Sequence, residues 1–82
     1  MFDIAETVSY TAPMKEEVQN NLQEYRHKAG ITQEDLAGAL GVTRQTVIAI
    51  EKGNYTPSVL LALKISKFFK TKVEEMFRID QD

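Results

Sequence analysis

A chain of 82 residues, 43% apolar and 27% charged, with four glycines and two prolines, has the size and balance of one small globular domain rather than a disordered tail. It holds no cysteine and one histidine, His27, which excludes a disulfide framework and a thiolate zinc site and leaves metal or cofactor chemistry without a ligand set. No apolar run approaches the roughly 18 residues of a spanning helix, and the N-terminus is acidic where a secretory signal needs basic residues. A soluble, cytoplasmic protein with no membrane partner is expected.

A domain of this size buries only about 60% of its unfolded surface, so a second subunit is a natural source of further burial. The formal charge of −2 conceals an uneven distribution. Residues 1–19 carry one lysine against four acids, and residues 80–82 add two aspartates; residues 20–79 carry nine lysines and arginines against six acids. That mildly basic middle permits a polyanionic partner without requiring one.

In residues 1–13, Phe2, Ile4, Val8 and Tyr10 fall on even positions, an alternation that predicts a short extended arm. Between Pro13 and Gly30, Met14, Val18, Leu22, Tyr25 and Ala29 recur every three or four residues and predict a first helix, with Glu16 and Glu17 near the positive end of its dipole. A second helix opens at Thr32, placed to cap it, with Ile31 placed to staple onto Leu36. Asp35 stands at the third helical position, where Glu or Gln is more usual in a capping box. The helix ends at Leu40 before Gly41, and the same cap-and-staple pattern returns at Val42, Thr43 and Val47 to open a third helix ending at Lys52. A left-handed residue at Gly41 turns the chain sharply, so the second and third helices must cross steeply, as in a helix-turn-helix. After the loop Asn54-Tyr55-Thr56-Pro57, Ser58 caps a fourth helix from Val59 to about Phe69. Val73, Met76 and Phe77 supply the apolar side of a short fifth, and residues 80–82 form an acidic tail. The expected architecture is all-α: a five-helix domain over residues 14–79, preceded by the arm.

Residues 33–52 hold the most information. Ala37 is small where the two helices meet, and Leu36, Leu40, Val42, Val47 and Ile50 are apolar where the crossing must be filled. A plain helical hairpin accounts for these positions equally well; it does not account for the opposite face of the third helix. There Arg44, Gln45, Ile48, Ala49 and Lys52 share an arc of about 140°, away from Thr46, Val47 and Ile50. Arg can bond the guanine O6/N7 edge with two parallel bonds, Gln can do the same at adenine N6/N7, and Ile48 and Ala49 suit a thymine methyl. Donors for flanking phosphates are available at Thr32, Gln33 and Thr43, and at Lys52, Asn54, Tyr55 and Thr56 beyond the third helix.

Thr32-Gln33-Glu34-Asp35-Leu36-Ala37, Gly41-Val42-Thr43-Arg44-Gln45-Thr46-Val47, Ala49-Ile50-Glu51-Lys52-Gly53, Tyr55-Thr56-Pro57-Ser58 and Val73-Glu74-Glu75-Met76-Phe77 together resemble the Cro and phage-repressor type of helix-turn-helix regulators, the xenobiotic-response-element family. The resemblance covers about residues 20–79 and is greatest to minimal single-domain members. It implies a five-helix lambda-repressor-like fold, a phosphate contact and a brace for the recognition helix at Gln33, and base contacts at Arg44, Gln45 and Thr46. Two positions depart from the family pattern. Gly38 interrupts the second helix, which points either to close approach of DNA or another backbone or to simple tolerance. Lys70 stands where many members place a helix-ending glycine.

Leu60 falls among lysines on the charged arc of the fourth helix and with Phe68 suggests a contact surface; the arm residues Phe2, Ile4, Val8 and Tyr10 are expected to dock on the fourth and fifth helices or to pair with a partner subunit, so all six are candidate dimer contacts. His27, near the end of the first helix, is expected to face solvent or the helix dipole. Glu34, Asp35, Glu74 and Glu75 are helix N-terminal charges with no nucleophile nearby, so no catalytic site, no cofactor and no small-molecule effector is expected. The expected function is sequence-specific binding of double-stranded DNA as a homodimer, acting as a repressor. The alternative is an antitoxin-like or anti-repressor module that binds a protein partner such as a toxin, with DNA binding secondary.

Overall fold

The computed structural model describes residues 16–81, with side chains to Ile79. The order of elements is β1 (Glu16–Asn20), α1 (Leu22–Ala29), α2 (Gln33–Leu40), α3 (Arg44–Glu51), α4 (Val59–Phe68), α5 (Val73–Met76) and β2 (Phe77–Gln81). Five helices thus form the body, as expected, and a two-stranded antiparallel sheet closes the described chain on itself. The residues Phe2, Ile4, Val8 and Tyr10, with the rest of the expected arm, lie outside the described residues.

The sheet corrects the expected first helix. Residues 16–20 are strand, not helix, with Val18 opposite Ile79 and Asn20 opposite Phe77. Helix α1 begins only at Leu22, because the Asn20 side chain accepts from the Leu22 amide (3.0 Å) and holds the chain out of helical conformation at that point. The spacing of four from Val18 to Leu22 suits a helix, yet the pairing with β2, about 60 residues away, prevails. Phe77 likewise belongs to β2 rather than to the fifth helix, and β2 carries residues 80 and 81 of the expected tail into the sheet.

The predicted caps of the three central helices are all formed. Thr32 accepts from the Asp35 amide (3.0 Å) while the Asp35 carboxylate accepts from the Thr32 amide (3.2 Å), so Asp35 completes the capping box. Thr43 accepts from the Thr46 amide and Ser58 from the Leu61 amide. Gly41 lies at φ 75°, and the amides of Gly41 and Val42 close back on the carbonyls of Gly38 and Ala37, which ends α2 and turns the chain into α3. Lys70 performs the same manoeuvre at φ 55° after α4, with the Lys70 and Thr71 amides closing on Lys67 and Ser66. The fourth helix therefore stops with the geometry a glycine would provide.

The core unites Leu22 of α1, Leu36, Ala37 and Leu40 of α2, Val47 and Ile50 of α3, Leu61 and Ile65 of α4, Met76 of α5 and Phe77 of β2. Burying such side chains contributes about 1.5–3 kcal/mol each for the larger aliphatics. Tyr25 tilts against Phe69 with ring centroids 5.6 Å apart and bonds Thr71 through its hydroxyl (3.1 Å), tying α1 to the end of α4. No helix of the described residues is long and apolar enough to cross a membrane.

Candidate nucleic-acid interface

The setting of α3 follows from what it buries. Val47 and Ile50 are wholly inaccessible, and the helix cannot rotate without exposing them. With that face turned inward, Arg44 and Gln45 on the first turn are exposed, Ile48 and Ala49 are half-buried beside them, and Lys52 is exposed at the far end. Thr46 is not brought into that group: it is half-buried, its hydroxyl lies 3.1 Å from that of Thr43, and it borders a crevice with Tyr55, Leu60 and Lys64.

The C-terminal end of α3 is held by charge as well as by the buried Ile50. Glu51 accepts from Arg26 Nε at 2.6 Å and from Arg26 Nη2 at 3.2 Å, and the two side chains are 3% and 9% exposed. Arg26 Nη1 also donates to the Ile31 carbonyl (3.0 Å). Gln33 Nε2 donates to Glu51 Oε1 (3.0 Å), and Asn20 Nδ2 to the Ile50 carbonyl (2.9 Å). Two charges withdrawn from water are thus paired and hydrogen-bonded, the condition under which such a pair is tolerated, and they join α1, α2 and β1 to one end of α3. The bracing role implied for Gln33 has this bond as its physical form. Arg26, Glu51 and Asn20 were missed in the sequence. A legible signal existed for the first two: each stands four residues after a core position, Leu22 and Val47, on the face that turns inward.

Between the end of α1 and the starts of α2 and α3 lies an open groove bordered by Arg26, His27, Ile31, Thr32, Gln33 and Arg44. Two of the expected phosphate donors, Thr32 and Gln33, therefore flank Arg44; Thr43 is exposed at the α3 cap. Lys52, Asn54, Tyr55 and Thr56 are exposed after the other end of α3. There the amides of Gly53 and Asn54 close on Ile50 and Ala49, so the Asn54 backbone completes the helix end.

On α4, Leu60 is 70% exposed and Phe68 is 43% exposed, and Val59 and Leu63, which sequence reading passed over, are exposed as well. Val59 and Leu63 lie one turn apart, so four apolar side chains of one helix face outward. Lys64 turns from that face to donate to the Leu40 carbonyl (2.7 Å), closing the C-terminus of α2. His27 is exposed in the last turn of α1, with Nε2 at 3.3 Å from Arg26 Nη2. Gly38 is exposed, and a Cβ there would meet nothing within 4 Å, so no described backbone approaches it.

Comparison with known proteins agrees with this geometry. The pattern of the helix-turn-helix family matches residues 22–76. An uncharacterized HTH-type transcriptional regulator of Methanocaldococcus jannaschii is 55% identical over 65 residues, covering 79% of this chain and 98% of that protein. Another, from Bacillus subtilis, is 51% identical over the same shares. Among solved structures, the restriction-modification controller protein C.AhdI of Aeromonas hydrophila superimposes with a TM-score of 0.60 at 31% identity, over 66% of this chain and 78% of that one. The α2–α3 corner turned at Gly41, the matched span and relatives covered over nearly their whole length agree: the chain belongs to the helix-turn-helix family of DNA-binding transcriptional regulators, of the Cro and phage-repressor type.

Proposed function

We propose that this regulator binds a specific double-stranded DNA site through the major groove with α3 and acts as a repressor. One observation carries the reading: Arg44 and Gln45 stand exposed on the first turn of α3 while Val47, Ile50 and the Arg26–Glu51 pair hold the rest of that helix in place. In this reading Arg44 takes guanine, Gln45 adenine, and Ile48 and Ala49 a thymine methyl, with Thr46 at the margin. Thr32, Gln33, Thr43, Lys52, Asn54, Tyr55 and Thr56 contact phosphates on either side. Support for repression comes from a similar protein: the phage CTXphi transcriptional repressor of Vibrio cholerae is 28% identical over 57 residues, covering 51% of that protein.

A single recognition helix reads too few base pairs to select one site in a genome, so the regulator acts as a homodimer on a roughly palindromic site. The outward apolar residues of α4, Val59, Leu60, Leu63 and Phe68, form the proposed contact. Binding to random duplex at several salt concentrations tests the function. A DNA reader binds weakly and loses affinity steeply as salt rises, whereas an antitoxin-like module that engages only protein does not bind. Substituting Arg44 should relax base preference, and substituting Lys52 should weaken all sequences alike. Light scattering on the wild type and on Leu60→Lys measures the dimer directly; an unchanged mass overturns the α4 contact.

A further inference from the structure

Among the described residues the sheet has two strands, so β1 covers one edge of β2 and no described strand covers the other. A two-stranded sheet gains from a further strand, and an uncovered edge is where another chain adds one. Which groups β2 offers there follows from the ladder. The Asn21 amide donates to the Met76 carbonyl (3.0 Å), next to the Asn20–Phe77 pair. Hydrogen-bonded and non-bonded pairs alternate along an antiparallel ladder, so Gln19–Arg78 is a bonded pair and Val18–Ile79 is not. The N–H and C=O of Ile79 therefore point away from β1. The Phe77 amide obeys the same alternation, turning from β1 to the Val73 carbonyl. The Ile79 side chain is 68% exposed, on the sheet face whose other end, at Phe77, is buried in the core.

The sequence of β2, Phe77-Arg78-Ile79-Asp80-Gln81, is complementary to a second copy of itself. Two such strands set antiparallel about a two-fold axis at Ile79 exchange both Ile79 N–H···O=C bonds and bring the two Ile79 side chains together. Arg78 of each copy then stands opposite Asp80 of the other, in a non-bonded pair, the closer kind. Sliding the strands by two residues in either direction sets Arg78 opposite Arg78 or Asp80 opposite Asp80, where like charges repel. The order of charges thus selects one register and one occupant. We propose that the outer edge of β2 is a self-association edge, on which a second copy of this chain adds its own β2 to make a four-stranded sheet. This contact is separate from the one assigned to α4. Two different two-fold contacts on one chain link copies in series, so neighbouring sites on DNA are filled cooperatively; that consequence alone rests on the DNA-binding reading.

The test uses the full chain carrying Leu60→Lys, which removes the α4 contact, and follows its mass by light scattering as concentration rises. The mass should double from one chain to two. Adding either Arg78→Asp or Asp80→Arg should hold it at one chain, because like charges then oppose each other. An equimolar mixture of these two variants should recover the doubled mass, since the opposed charges are again complementary. Thermal melting confirms the fold of each. With no further substitution, exchange of the Ile79 amide with solvent should slow as the Leu60→Lys chain associates. A single-chain mass at every concentration, an Ile79 amide whose exchange does not slow, charge variants that associate as well as their parent, or a mixture that stays at one chain overturns the proposal while leaving DNA binding and the α4 contact intact. If Leu60→Lys leaves the wild-type mass unchanged, the α4 reading fails, and the two charge substitutions made in the wild type decide the sheet contact by the same criteria.

Discussion

The two ends of α3 are treated in opposite ways. At the C-terminal end, Glu51 is nearly inaccessible and receives hydrogen bonds from Arg26 and Gln33, while Asn20 bonds the neighbouring carbonyl. At the N-terminal end, Arg44 and Gln45 reach solvent, with the Thr43 cap beneath them. Side chains that must meet a partner have to remain uncommitted, yet the helix bearing them must be held still. Fixing one end with buried charge and leaving the other open meets both demands, and it separates residues whose loss should unfold the protein from residues whose loss should only weaken binding.

The largest effect should therefore come from the fixed end. Glu51→Ala strands a buried guanidinium and removes the acceptor of Gln33, and should lower unfolding stability by about 3–5 kcal/mol in a denaturant titration. A loss below about 1 kcal/mol would remove the contrast between the ends. Next in size, Arg44→Ala should weaken specific DNA binding by roughly 1–3 kcal/mol, or about 5- to 150-fold in Kd. Its melting curve should stay within about 0.5 kcal/mol of wild type; a large thermal loss would mean that Arg44 is structural after all.

Smaller effects, away from α3, sharpen the contrast by altering stability through the backbone alone. Lys70 holds a left-handed conformation at φ 55°, so Lys70→Gly should stabilise by about 1 kcal/mol. Gly38→Ala should add about 0.5–1 kcal/mol, because the position is helical, exposed and open where a methyl would sit. For a domain of this length about 1 kcal/mol moves Tm by roughly 4–8 °C, which calorimetry resolves. If Gly38→Ala stabilises the free protein yet weakens duplex binding, DNA approaches that helix closely; if binding is unchanged, the glycine is simply tolerated.

What could be read in advance divides along the same line between local and distant causes. Thr32, Thr43 and Ser58 cap their helices through amides three residues away, and Gly41 turns the corner within its own peptide units, so the starts of α2, α3 and α4 and the end of α2 were legible. The exposed setting of Arg44 and Gln45 was legible too, since Val47 and Ile50 define the inward face by spacing alone. The sheet was not. Val18 and Leu22 satisfy a helical spacing, and only contact with Ile79 and the Asn20 side-chain bond to the Leu22 amide make residues 16–20 a strand. Nor was the clamp on α3, whose parts come from residues 20, 26, 33 and 51.

By itself the sequence determined the corner: caps, a left-handed glycine and apolar spacing act over three to five residues, where chain entropy is small and local bonds decide. The tertiary structure alone decided which charges are withdrawn from water and which strands pair, because both depend on partners brought together only when the core of Leu22, Leu36, Ile50 and Met76 forms. Burial makes the Arg26–Glu51 pair a clamp, and exposure leaves Arg44 available. The same residue type serves opposite ends because its surroundings differ.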